Sequence, residues 1–159
     1  MKNFQNKTKI IKVSKVLRNL LFAGLCLWIF AAFASLAPFT FYLYPGATKL
    51  YPIQAYAWSG SALMCVFYFM VNLKLFRFFE RLMNGCLFDL QTVNYLAAAG
   101  KWCIGLWCYN GLFYGIRYLC FQVKMTWDFS VLFSALTLIF VAWLLKEAQG
   151  LQEEQELTV

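Results

Sequence analysis

Four long stretches of this chain carry almost no charge, and that pattern limits the fold more than any motif does. No charged residue occurs from Asn19 to Thr48, and residues 20–43 are almost wholly apolar. Residues 55–76 form a second stretch, uncharged up to Lys74. Residues 95–120 form a third, and a fourth runs from about 127 to 145, bounded by Asp128 and Lys146. Each is close to the ~20 residues a helix needs to cross hydrocarbon with its backbone bonded internally. Composition agrees, with 62% hydrophobic and 13% charged residues, against about 25% charged in soluble domains. A chain of 159 residues cannot hide that much apolar surface from water. An ordinary soluble enzyme, a disordered chain and a nucleic-acid module are thereby excluded. The sequence predicts one all-α domain over residues 1–159, an integral membrane four-helix bundle. Its helices are expected near 16–43, 55–76, 95–120 and 127–146, with a loop over 77–94 and a tail over 147–159.

Orientation follows from the cations. Lys2, Lys7, Lys9, Lys12, Lys15 and Arg18 precede the first apolar stretch. With that segment inside, Lys74, Arg77, Arg81, Lys101 and Lys146 are also cytoplasmic, leaving only Lys49, Arg117 and Lys124 outside. This asymmetry places both termini in the cytoplasm of a multi-pass protein of the cell inner membrane. A cleaved leader is the rival for the first helix, since Ala32-Phe33-Ala34 has the small-residue pattern of a cleavage site. The apolar run continues well past Ala34, longer than a leader requires, so an uncleaved anchor is preferred. Lys101 and Arg117 lie inside the third helix, 16 residues apart. At the helical rise that is about 24 Å, so each can snorkel to an opposite interface. The sharper alternative is that one of them lines an anion-accessible cavity.

Chemistry is sparse. With no histidine, His-ligated metal sites and His acid–base catalysis are excluded. The six cysteines form no C-x-x-C, and only Cys120 falls near the outer face, which disfavours a membrane thiol oxidoreductase. Glu80, Asp89, Asp128, Glu147, Glu153, Glu154 and Glu156 all fall outside the apolar stretches. Proton-coupled exporters need such a carboxylate within the membrane. The expectation is therefore no catalytic residue, no cofactor, no metal and no direct contact with nucleic acid.

Gly111 and Gly115 form a G-x-x-x-G in an apolar helix, a spacing that lets another helix approach closely. Internal packing is the favoured use and homodimerisation the minority one. Asn110 adds a polar group near mid-membrane and Asn72 another near the inner end of the second helix, both suited to interhelical hydrogen bonds. On the cytoplasmic side, Leu73, Leu75, Phe76, Phe78, Phe79, Leu82 and Met83 interleave with Lys74, Arg77 and Arg81. At helical spacing these extend the second helix amphipathically, with cations facing anionic headgroups. The acidic tail keeps Leu144, Ala148 and Leu151 on one side if the fourth helix continues into it. Its candidate docking residues are Leu151, Glu154, Leu157, Thr158 and Val159. As an extended tip they would add to a sheet edge, or offer a carboxylate to backbone amides.

Two stretches together resemble the bacterial membrane family named domain of unknown function 2975. One is Leu75-Phe76, Asn84-Gly85-Cys86-Leu87-Phe88, Val93 and Leu96; the other is the tail pattern from Leu151 through Glu154-Gln155 to Leu157-Thr158-Val159. The resemblance covers nearly the whole chain and departs at Ala148, where a glycine is expected slightly before Gly150. It implies no catalytic residues. It does imply a genetic association with small helix-turn-helix regulators of the Cro/C1 type, and hence a cytoplasmic transcription regulator as partner. The leading reading is a non-enzymatic regulatory or sensory membrane protein. The rival is a small-molecule or lipid-binding transport protein using Asn72, Lys101, Asn110 and Arg117. Whether those four side chains converge discriminates the two.

Overall fold

The computed structural model describes residues 2–42, 52–86, 89–122, 124 and 128–157. They form four helices: α1 (Lys2–Tyr42), α2 (Pro52–Met83), α3 (Leu90–Phe121) and α4 (Ser130–Leu157). Strands are absent among the described residues. The helices run further at their polar ends than the apolar stretches alone indicate. α2 continues to Met83 and α3 begins at Leu90, so most of the expected 77–94 loop is helical. α4 continues to Leu157 because the segment after Lys146 is rich in Glu, Gln, Leu and Ala, all strong helix formers.

The helices pack in chain order. α1 packs on α2, α2 on α3 and α3 on α4, and no other pair of helices meets closely among the described residues. Neighbours are antiparallel. Trp28 stacks on Tyr68 at 4.4 Å and Phe22 meets Phe76 at 6.3 Å, so α1 rises as α2 descends. The array is open, with α1 on its outer side.

The core lies between α2, α3 and α4. Phe78 and Leu82 of α2 cluster with Val93 and Leu96 of α3 and Ala142 of α4. Val71, Cys103 and Ala135 form a second cluster. On α3, Thr92, Leu96, Ala99, Cys103, Leu106 and Phe113 are buried. With Asn110 they follow steps of three and four residues, one stripe of the helix. Outside, the surface is greasy: Phe30 is 75% exposed, Phe133 68% and Leu119 78%. In water such a face is an aggregation site, whereas in lipid it is the solvated one.

Among the described residues, three helical segments are long and apolar enough to cross a membrane: Thr8–Ser35, Ser59–Met83 and Ser130–Leu151. α3 is long enough but falls short in apolarity. It carries Lys101, Asn110 and Arg117, and it holds more of the buried side chains than any other helix. A helix flanked by α2 and α4 presents less surface to its surroundings and tolerates polar residues that α1 would not.

Glycines set close approaches between the helices. A Cβ on Gly115 would meet nothing within 4 Å among the described residues. Close approaches are seen at other glycines. A Cβ on Gly100 would meet Ile139 Cγ1 at 2.6 Å and the Ala135 carbonyl at 3.1 Å. One on Gly60 would collide with the Phe113 ring, and one on Gly105 would lie 3.1 Å from Phe67. Gly24 faces the Asn72 amide oxygen at 3.3 Å.

Candidate functional site

The most organised polar structure is the corner between α2 and α3. α2 ends in a two-bond cap: the Gly85 N–H donates to the Leu82 carbonyl and the Cys86 N–H to the Arg81 carbonyl, both at 3.1 Å. That closure needs a left-handed residue, and Gly85 supplies it with φ of 82°. Asp89 then caps α3. Its backbone is extended and its carboxylate accepts from the Gln91 N–H at 3.3 Å. The Thr92 hydroxyl, fully buried, donates to the Cys86 carbonyl at 2.7 Å.

Arg81 ties the two helices together. Its guanidinium donates to the Asp89 carboxylate and to the Gln91 side-chain oxygen. The pair is about one-third exposed, so the ionic part contributes about 0–1 kcal/mol. The ring of Tyr95 lies between two cations, Lys74 Nζ at 5.8 Å and the Arg81 guanidinium carbon at 5.9 Å. Both distances are within cation–π range. Beside it opens a cleft of about 350 Å³ lined by Leu73, Phe76, Arg77, Glu80, Arg81 and Tyr95. Cys86 is exposed on this corner.

At the opposite end, Gln122 closes α3 in the left-handed region at φ 52°, donating to the Tyr118 carbonyl at 2.9 Å. Asp128 caps α4 by accepting from the Ser130 N–H at 2.8 Å. Those Ser130 hydrogen bonds, side chain and backbone, hold the Asp128 carboxyl below its usual range.

Among the described residues, the four polar residues of the transport reading border no common cleft. Asn72 donates to the Tyr68 carbonyl of its own helix at 2.9 Å and faces Gly24 across the α1–α2 contact. Lys101 is exposed and borders a separate α2–α3 cleft. Asn110 Oδ1 and Arg117 Nε are buried without a hydrogen-bond partner, on the core-facing side of α3. Gly111 is half-buried beside them. Of the tail residues, Leu151 is 62% exposed and Glu154 is also exposed. Leu157 is the last residue of α4, while Thr158 and Val159 lie outside the described residues.

Sequence reasoning missed Tyr95, Asp89 and Thr92 as the residues that build the corner; the Asn84-Gly85 pair, a common turn dipeptide, was the available signal. It also missed Gly100. The run Ala97-Ala98-Ala99-Gly100 was the available signal, since small residues in succession mark a face that admits a neighbouring backbone.

Comparison with family models, curated proteins and solved structures finds no match. The class of protein is therefore given by the molecule itself: a four-helix protein with three helices able to span a membrane.

Proposed function

We propose that this chain is a multi-pass, non-enzymatic protein of a bacterial inner membrane that serves as the regulatory or sensory partner of a cytoplasmic protein. The observation that carries this reading is the placement of ordered polar structure at one end. Because neighbouring helices are antiparallel, the Lys2 end of α1, the α2–α3 corner and the Leu157 end of α4 lie together. Ala142 packs beside Val93 and Leu96 near the corner. Leu151, nine residues later, then lies about 13 Å further along the axis. There Leu151 and Glu154 are exposed. The helical path of α4 to Leu157 favours presentation as a helix over an extended tip. Lys and Arg asymmetry supports the cytoplasmic assignment of this end. The resemblance to domain of unknown function 2975 supports a helix-turn-helix regulator as the partner.

Orientation has a direct test. A membrane-impermeant maleimide is expected to modify Cys86 in inverted vesicles and to leave it unmodified in intact cells. Labelling from outside overturns the topology.

Partner docking is tested by deleting residues 151–159 and measuring insertion and crosslinked capture separately. Normal insertion with capture reduced to background is the expected result. Unchanged capture removes the tail from the docking surface. The transport reading draws less support, since Asn72 faces α1 and Lys101 is exposed, away from the buried Asn110 and Arg117.

A further inference from the structure

We propose that the face of α2 and α3 beside Tyr95 is a binding site for one anionic phospholipid of the inner leaflet, with a hydroxyl-bearing headgroup. This rests on the membrane reading above and goes beyond it by naming a ligand.

Two clefts follow one another on that face. The first is the Arg77–Tyr95 cleft of about 350 Å³, and the second, of about 320 Å³, is lined by Phe67, Ala98, Lys101, Trp102 and Gly105. Along α3, Tyr95, Ala98, Trp102 and Gly105 are separated by three, four and three residues, so they share one stripe. All the residues lining both clefts belong to α2 and α3. α1 reaches the edge of this face, where Phe22 meets Phe76, and α4 packs on another side of α3, at Gly100, leaving the α3 stripe uncovered among the described residues. From Tyr95 to Gly105 is ten residues, about 15 Å of helix. That is the depth of one leaflet of a ~30 Å hydrocarbon layer.

The chemistry changes along the groove in the order a phospholipid does. At the corner end stand Lys74 and Arg77, while Arg81 is engaged with Asp89 and Gln91. Lys74 and Arg77 are the cations left to meet a phosphate. Arg offers a fork of N–H donors matched to phosphate oxygens, and Lys a point charge. Glu80 stands on the same wall. A carboxylate there disfavours a bare phosphate dianion but accepts hydrogen bonds from headgroup hydroxyls. Deeper, the lining is aromatic and small. Phe67 packs edge-on to Trp102 at 5.7 Å and stacks on Tyr109 at 5.5 Å. The missing side chain of Gly105 lets the Phe67 ring lie against α3. The result is a flat, apolar floor for an acyl chain. Lys101 borders this deeper part, and its flexible stem lets the ammonium snorkel toward the headgroup level.

The test uses the full chain in nanodiscs of phosphatidylcholine, alone or with phosphatidylglycerol, and counts lipids retained on release by native mass spectrometry. The wild-type protein is expected to retain one phosphatidylglycerol in preference to phosphatidylcholine. The Lys74→Gln/Arg77→Gln variant is expected to lose about thirtyfold in that preference, two surface cations' worth. Ala98→Trp fills the deeper cleft and is expected to abolish retention with every charge in place; Ala98→Leu does the same if the tryptophan variant fails to fold by circular dichroism. Lys9→Gln/Lys12→Gln, equal in charge change but on α1, is expected to retain the lipid. No preference in the wild type, or full retention in the Lys74/Arg77 variant, overturns the site. Retention lost equally in the α1 control overturns it too, leaving only general charge attraction. Soluble glycerol phosphate binding as well as the lipid overturns the lipid as ligand. A protein that carbonate washing strips from membranes sinks the membrane reading instead, before any lipid is counted.

Discussion

Gly100→Leu is expected to separate α3 from α4 and to cost about 3 kcal/mol, as overpacked sites do. At this chain length that is a fall of roughly 6–12 °C in detergent melting temperature. The reason is what surrounds the position. Beyond Ile139 Cγ1 at 2.6 Å, a new Cβ would meet backbone atoms, the Ala135 carbonyl at 3.1 Å and the Ile139 nitrogen at 3.3 Å. A side-chain end can rotate away, whereas a helix backbone moves only as a body. The helix propensity gained on replacing glycine, about 0.5–1 kcal/mol, offsets a small part. Gly115→Leu is the matched control, because open space surrounds that position. It is expected to melt within about 0.5 kcal/mol of the wild type. Equal losses at the two positions would show that the close approach at Gly100 is not what holds the helices.

Asp89→Ala combined with Thr92→Val is expected to open the corner without melting the protein. The first change removes the α3 cap, worth about 1 kcal/mol. The second leaves the Cys86 carbonyl without its buried donor, at about 1–3 kcal/mol. Amide exchange over residues 84–92 is expected to speed up by about thirtyfold or more, with the rest of α3 protected. Asp89→Asn separates the causes. Asparagine caps a helix nearly as well as aspartate, so most protection is expected to survive the loss of the Arg81 ion pair. Exchange as fast as in the double variant would assign the corner to the charge instead.

Helices were legible wherever composition alone defines them. The apolar stretches at 20–43 and 55–76 mark α1 and α2 without reference to any partner. Their polar ends were harder to read. Lys74, Arg77 and Arg81 interrupt the hydropathy, while Phe78 and Leu82 keep the helical period that extends the second helix, and both are buried in α2. The tail was readable from propensity, and its helix runs through Gly150 to Leu157. Contact positions were not legible, because a glycine acquires meaning only from the facing helix. Gly111 and Gly115 carry the familiar spacing, yet the tight contact is at Gly100, against α4. Lys101, Asn110 and Arg117 look alike in sequence, as single polar groups in one apolar helix. The fold sends Lys101 outward and Asn110 and Arg117 inward, a difference of register on α3.

Because, among the described residues, the helices pack in chain order, the molecule can be assembled in the order of synthesis. α1 has its full binding surface as soon as α2 emerges and need not wait for α4. No helix has to slide between two already docked, and no long loop has to close first, so folding rests on near-neighbour contacts. Shortening the chain from its α4 side removes the last layer of the stack and leaves α1 with the helix contacts it makes among the described residues, all of them to α2.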